Sequence, residues 1–212
     1  MPSVYSAYTI HDTVCSVWKC TEAEDFFSGS LKLFAAEEEE LSKLNSKKRY
    51  EWLASRFLLS RITAESGLNP CTKDEYGKPH IKGSPWMISL SHTEGYVACI
   101  RSLKSCGTDI QVITQKIEKI SPKFISAAEE SLIRDGQSLQ HRHCIWSAKE
   151  AIYKAYGRKS LDFKDHIRIG PFEFRETGFS FSGCIQKEDL IVNYTLFCRQ
   201  IKNTILVYAI EN

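Results

Sequence analysis

The pattern of apolar and polar residues predicts one strand and then two helices in the first third of the chain. β-Branched and aromatic residues dominate 4–20, a composition typical of β-strands. In 35–44 and 45–67 the pattern is helical instead, and the second segment has a broad apolar side. Gly67 follows this pattern and predicts the end of the longer helix.

The middle of the chain passes from turn residues to strands. The segment 69–85 contains two glycines and three prolines, a composition that favours turns. The following segment, 86–102, predicts a β-hairpin that turns at Glu94–Gly95, and 106–113 predicts another strand.

Two short patterns mark the starts of further helices. Thr21 and Glu24 have the spacing of a capping box, as do Ser126 and Glu129. We expect a short helix after each, and Gly136 predicts the end of the second one.

The last third of the chain changes from helical to period-two spacing. The stretch "WSAKEAIYKAYG", 146–157, predicts a helix that ends at Gly157. From Arg168 onward, apolar residues alternate with polar ones between short turns, which predicts an antiparallel meander. This order of elements is typical of an α+β fold, and it suggests two similar halves that meet near Ser105.

Composition and charge argue against several classes of protein. The chain has 212 residues and a net charge of +2, so we do not expect a general nucleic-acid binder, which is usually far more basic. No apolar run is long enough to span a bilayer, and no secretory signal is visible. The eight cysteines form no CxxC pair, and several lie in apolar runs. We therefore expect a reduced, cytoplasmic protein.

One helix and one strand carry candidate chemistry. Glu150 and Lys154 are four residues apart on the helix, a pair that as a surface ion pair contributes only about 0.2–0.5 kcal/mol. Trp146 shares their face, and a large ring there suggests a face directed towards a cleft. We assign the ring itself to packing that fixes the helix, and not to chemistry. Asp109 lies in the strand pattern 106–113, where Asp is disfavoured. Its carboxylate either bonds a nearby turn or binds a hard cation such as Mg²⁺.

Other polar groups are compatible with anion binding or with purely structural roles. Ser91 and His92 are neighbours on a strand and point to opposite faces, which argues against a hydrolase dyad; they either bind phosphate oxygens or cap a turn. Lys73 and Lys78 lie in the turn-rich segment. Arg56 lies near the apolar side of its helix, where an arginine generally has an anionic partner.

Four motifs in order resemble one family. "YGKPHI", "ISLSH", "GTDIQ" and "WSAKEAIYKAYG" are similar, in sequence and spacing, to the motifs of 4′-phosphopantetheinyl transferases of the longer, Sfp-type, pseudo-dimeric class. The resemblance runs from about Arg49 to Gly157. It implies an α+β pseudo-dimer of two similar subdomains, 1–105 and 106–212, each with antiparallel strands packed on helices and with the active-site cleft between them.

The resemblance also implies an activity and its residues. The family transfers the phosphopantetheine arm of coenzyme A to a serine of an apo acyl or peptidyl carrier protein, and Mg²⁺ is its cofactor. By position, Asp109 and Glu150 would hold Mg²⁺ and Lys154 would contact phosphate, so these three are the catalytic candidates. The residues that would contact coenzyme A, besides Lys154, are Arg49, Arg56, Lys73, Lys78, Ser91 and His92. We expect no nucleic-acid or membrane partner, and a monomer.

Gln111 departs from the family pattern. Many members have an acid there, and a neutral amide can still offer a carbonyl oxygen to Mg²⁺ or hold a bound water, so Gln111 is retained as a candidate third ligand. The same departure supports an alternative, a non-catalytic module of the same fold that binds coenzyme A or a carrier protein.

Overall fold

The computed structural model describes residues 3–8, 12–63 and 70–212. Over these residues the fold is α+β, with two antiparallel sheets that each pack against helices. The sheets belong to two compact units, Met1–Lys104 and Ser105–Asn212. No helix in the described part of the chain is long and apolar enough to cross a membrane.

The described part of the first unit forms one sheet of six strands in the order β1-β2-β6-β5-β4-β3. The strands are β1 (Ser3–Tyr8), β2 (Val14–Lys19), β3 (Cys71–Lys73), β4 (Pro79–Ile81), β5 (Met87–Thr93) and β6 (Tyr96–Ser102). Three helices accompany them, α1 (Glu24–Gly29), α2 (Ala35–Ser42) and α3 (Ser46–Ile62).

Helix α3 forms the centre of the first unit. The side chain of Asn45 caps it by accepting a hydrogen bond from the backbone N–H of Lys48 at 3.0 Å. Its apolar side, including Leu53 and Phe57, is buried against β5 and β6. The predicted stop at Gly67 lies outside the described residues.

The second unit, all of whose residues are described, contains a five-stranded sheet in the order β7-β11-β10-β9-β8. The strands are β7 (Cys106–Val112), β8 (Ile167–Ile169), β9 (Phe179–Lys187), β10 (Leu190–Ile201) and β11 (Thr204–Glu211). The helices are α4 (Lys116–Ile120), α5 (Ala127–Glu130) and α6 (Ser138–Tyr156), with a 3₁₀ turn at Ser121–Lys123.

Helix α6 packs closely on β7 and β11, and one glycine of β7 allows this approach. A Cβ on Gly107 would overlap the backbone carbonyl oxygen of Ala151 and lie 2.6 Å from the backbone nitrogen of Ala155. A larger residue would therefore force the helix away from the strand. Gly157 ends the helix in the left-handed conformation with φ of 69°, as its position predicts.

The hairpin at Glu94–Gly95 and the C-terminal meander are confirmed, while several predicted boundaries are wrong. The segment 4–20 contains two paired strands, and the turn-rich segment 69–85 contains β3 and β4. These short strands are stabilised by pairing within the sheet, a tertiary effect that local turn propensity does not report. Helix α5 ends at Glu130, well before Gly136.

Candidate active site

Asp109 lies in the middle of β7 and faces α6. It shares this side of the strand with Gly107, two residues earlier, because alternate residues point to the same face. Its side chain is only 2% exposed, although carboxylates are seldom buried without partners. Its hydrogen-bond partners include Lys154 on α6 and Gln111 on β7 itself.

Lys154 provides the cationic partner from α6. Its Nζ donates to Asp109 Oδ1 at 2.8 Å and to the carbonyl oxygen of Thr108 at 3.0 Å. The lysine side chain is 28% exposed, so this ion pair is open to solvent on the lysine side.

Glu150 adds a second carboxylate one helical turn before Lys154. Burial raises the pKa of Glu150 to about 6, and the negative charge of Asp109 acts in the same direction, while Lys154 opposes both. Two carboxylates against one ammonium leave this cluster with an excess of negative charge. A site of this kind favours an additional cation.

Gln111 lies on the same face of β7 as Asp109. Its Nε2 donates to Asp109 Oδ2 at 3.2 Å, so both oxygens of the Asp109 carboxylate have a partner. The side-chain carbonyl of the same amide group is a neutral oxygen of the kind that coordinates hard cations.

The donor set fits Mg²⁺ better than a thiophilic metal. The described residues contain no group of three or more His, Cys, Asp or Glu side chains that could hold a metal ion alone. Asp109, Glu150 and Gln111 offer only oxygen, and Mg²⁺ is commonly held by one or two carboxylates that leave positions for phosphate and water. Besides burial, the negative charge of Asp109 raises the pKa of Glu150, so the two carboxylates interact electrostatically.

Trp146 packs inside the second unit. Its ring packs edge-on against Phe124, with centroids 4.8 Å apart, and against Phe163 at 5.5 Å. The ring therefore fixes α6 against the core of the second unit, which confirms the expectation that Trp146 serves packing and not chemistry.

Lys149, which the motif contains but whose role was not predicted, forms a sealed ion pair. Its side chain is 0% exposed, and Nζ donates to Glu129 at 2.8 Å and to the carbonyl oxygens of Phe163 and Ile167. Glu129 also accepts hydrogen bonds from Ser126, in the predicted capping box. A lysine between apolar residues on a long helix was the available signal.

Three of the candidate coenzyme A contacts meet in one pocket of the first unit. Arg56, Lys73 and His92 line a cavity of about 350 Å³ whose wall includes Trp52 and Glu40. The Arg56 guanidinium lies 4.6 Å from the centroid of the Trp52 ring, a cation–π contact. The expectation that Arg56 has an anionic partner is confirmed. Its Nε lies 3.6 Å from Glu37 Oε1, and its Nη2 lies 3.8 Å from Glu40 Oε2.

The remaining three candidates are not among the residues that line this cavity. Arg49 pairs with Glu24 at 2.7 Å. Lys78 is buried and lies between the lining residues Gly77 and Pro79. Ser91 is buried on the side of β5 opposite to the exposed His92, as the alternation along a strand predicts.

Comparison with known proteins identifies the second unit. Residues 105–201 match the family model of the 4′-phosphopantetheinyl transferase superfamily. This range contains Asp109, Gln111, Glu150 and Lys154, and it supports a transferase of the phosphopantetheinyl type without distinguishing the longer class from other members. A search of curated proteins finds no significant match. The similarity to this superfamily therefore extends over less than half of the chain, all of it within the second unit.

Proposed function

We propose that this protein transfers the 4′-phosphopantetheine group of coenzyme A to a serine hydroxyl of an apo carrier protein in an Mg²⁺-dependent reaction. The observation that supports this best is the cluster of Asp109, Glu150 and Lys154, which lies within the residues that match the superfamily. Phosphoryl-type transfer requires positioning and charge neutralisation more than covalent chemistry from the protein, and this cluster supplies groups of that kind.

Each residue of the cluster has a role in this proposal. Asp109, Glu150 and the carbonyl of Gln111 would hold Mg²⁺, which when bound neutralises charge on the pyrophosphate. Lys154, whose side chain is 28% exposed, would contact a phosphate oxygen. Glu150, with a pKa of about 6, is mostly ionised at neutral pH and would accept the serine proton directly or through water.

The reaction balances with these groups alone. The serine oxygen forms a bond to the phosphorus that carries pantetheine, and the bond from that phosphorus to the bridging oxygen breaks. Adenosine 3′,5′-bisphosphate leaves with the bridging oxygen, and the proton of the serine passes to Glu150. The nucleotide end of coenzyme A would bind through Arg56, Lys73 and His92, with Arg49, Lys78 and Ser91 as further contacts.

A basic surface of the second unit suits the carrier protein. Lys116, Lys119 and Lys123 are exposed along α4 and the 3₁₀ turn, and the apolar side chain of Ile120, 39% exposed, lies among them in sequence. An acidic amphipathic helix offers the complementary charge and an apolar contact.

Incubation with coenzyme A, Mg²⁺ and a panel of apo carrier proteins tests the proposal. Mass spectrometry should detect the phosphopantetheine adduct on the carrier serine, and a chelator or a Ser→Ala carrier should abolish it. If no carrier of a broad panel is modified although calorimetry detects coenzyme A binding, the alternative of a non-catalytic binding module replaces the proposal.

A further inference from the structure

We infer that Glu40 is an internal counter-anion, which occupies the cations of the first-unit pocket and competes with a phosphate group of the ligand. This inference rests on the proposed binding of coenzyme A in that pocket. It adds a residue, Glu40, that lowers the affinity for coenzyme A by competing with the ligand for the same cations.

The contacts of Glu40 are with two of the candidate ligand-binding cations. Its Oε1 lies 2.6 Å from Lys73 Nζ, and its Oε2 lies 3.8 Å from Arg56 Nη2. Partial burial would raise the pKa of Glu40, yet the hydrogen bond of Lys73, the Trp52 indole and the charges of Lys73 and Arg56 bring it below its usual value. Glu40 is therefore ionised at neutral pH, and its charge faces the pocket.

Glu37, the other acid beside Arg56, has a different role. It is 8% exposed, and it accepts hydrogen bonds from the backbone N–H groups of Cys71 and Phe34. Displacing Glu37 would leave these two buried N–H groups unpaired, which is costly. Glu37 is thus a permanent partner of Arg56.

Glu40 can leave its partners at a smaller cost. Its side chain is 33% exposed on α2, so it can turn towards water without becoming a buried, unpaired charge. A phosphate group carries as much charge as a carboxylate or more, and it offers more acceptor oxygens to Lys73 and Arg56. The binding of an anion and the contact of Glu40 are therefore mutually exclusive alternatives for the same cations.

Calorimetric titration with coenzyme A tests this inference on the wild type, Glu40→Gln and Glu39→Gln. Glu39 is the matched control, because it lies on the same helix and pairs with Lys43 at 2.7 Å on the exposed surface, away from the pocket. We expect Glu40→Gln to bind coenzyme A about two- to fivefold more tightly at low salt, the range of a partly exposed ion pair. Glu39→Gln should bind like the wild type, and the difference should shrink at high salt.

A second pair of variants identifies the cation that is released. On a Lys73→Ala background, the gain from Glu40→Gln should be smaller, because Lys73 is the closer of the two partners. If the wild type binds coenzyme A but Glu40→Gln binds it equally or more weakly, Glu40 orients the cations for the ligand and the inference is wrong. If the wild type does not bind coenzyme A, the proposed function fails, and this inference fails with it.

Discussion

Two lysine–carboxylate pairs on α6 have the same length and different surroundings. Lys149 lies 2.8 Å from Glu129, and Lys154 lies 2.8 Å from Asp109. In the first pair both side chains are buried, at 0% and 3% exposure, and two backbone carbonyls complete the bonds of the ammonium. In the second pair the lysine is 28% exposed, and Glu150 adds a further negative charge.

The difference separates a structural ion pair from a candidate catalytic one. The charges of Lys149 and Glu129 balance, and removing either would leave a buried charge without its partner. The charges around Lys154 do not balance, because Asp109 and Glu150 exceed it by one. Burial raises the pKa of Glu150, and the negative charge of Asp109 acts in the same direction. Groups with a perturbed pKa of this kind cluster at functional sites.

The largest effect on stability should come from the sealed pair. Lys149→Met leaves the Glu129 carboxylate buried without its cation, and we expect a loss of about 3–5 kcal/mol in the free energy of unfolding. Lys154→Met also removes the cation of a buried carboxylate, Asp109, but it should cost less than Lys149→Met, because water reaches that pair from the lysine side. Urea denaturation of the two variants measures both values. If Lys154→Met lowers the free energy of unfolding as much as Lys149→Met does, the two ion pairs do not differ in the way proposed.

The largest effect on activity should come from substitutions in the cluster of Asp109, Glu150 and Lys154. Asp109→Asn and Glu150→Gln should each lower the rate of phosphopantetheine transfer by about 100-fold, the scale reported for removing one electrostatic contributor to a transition state. Both substitutions keep the size of the side chain, so circular dichroism spectra should match the wild type. Near-normal transfer by either variant with Mg²⁺ would show that its assigned metal role is wrong.

The contrast between the two pairs was only partly predictable. The spacing of Glu150 and Lys154 places both on one side of a helix, and the strand around Asp109 followed from local composition. The partner of Lys149 lies 20 residues away in the chain and was not predictable from periodicity, since it depends on how α5 and α6 pack. The same holds for Glu40 and Lys73, which are 33 residues apart.

The two predicted capping boxes also show how far local sequence patterns predict contacts. The box at Ser126 and Glu129 forms, and its glutamate also serves the sealed pair. At Thr21 and Glu24 no side-chain cap forms, and α1 begins after Ala23. Glu22 accepts hydrogen bonds there from the Trp18 indole and the Thr21 backbone, so other local hydrogen bonds than those of a capping box organise the chain before the helix.

The pH dependence of stability should reveal the perturbed carboxyl of Glu150 without any substrate. Its pKa is raised from 4.5 to about 6 in the folded protein, by burial first and by the charge of Asp109 second, so between these values the folded state binds more protons than the unfolded state. Stability relative to Glu150→Gln should therefore fall as pH rises through this window, by about 1–2 kcal/mol in total for this partly buried group, and then stay constant. Denaturation of both proteins from pH 4 to about pH 8 measures the difference, and a difference that does not vary with pH would contradict the raised pKa of Glu150.

The smallest effect on activity should come from Gln111, whose side chain contacts Asp109 in the cluster of Asp109, Glu150 and Lys154. Gln111→Glu replaces the N–H donor to Asp109 with a third carboxylate. This substitution makes the net charge of the site more negative when no metal is present. We expect a tighter apparent affinity for Mg²⁺, by about two- to fivefold, and a change in the maximal transfer rate of less than about threefold, since two acids are already present. Transfer assays over a range of Mg²⁺ concentrations separate the two quantities. A large rise in the maximal rate would instead show that the glutamine impairs the native site, and the difference between the two lysine pairs would then not suffice to mark an active centre.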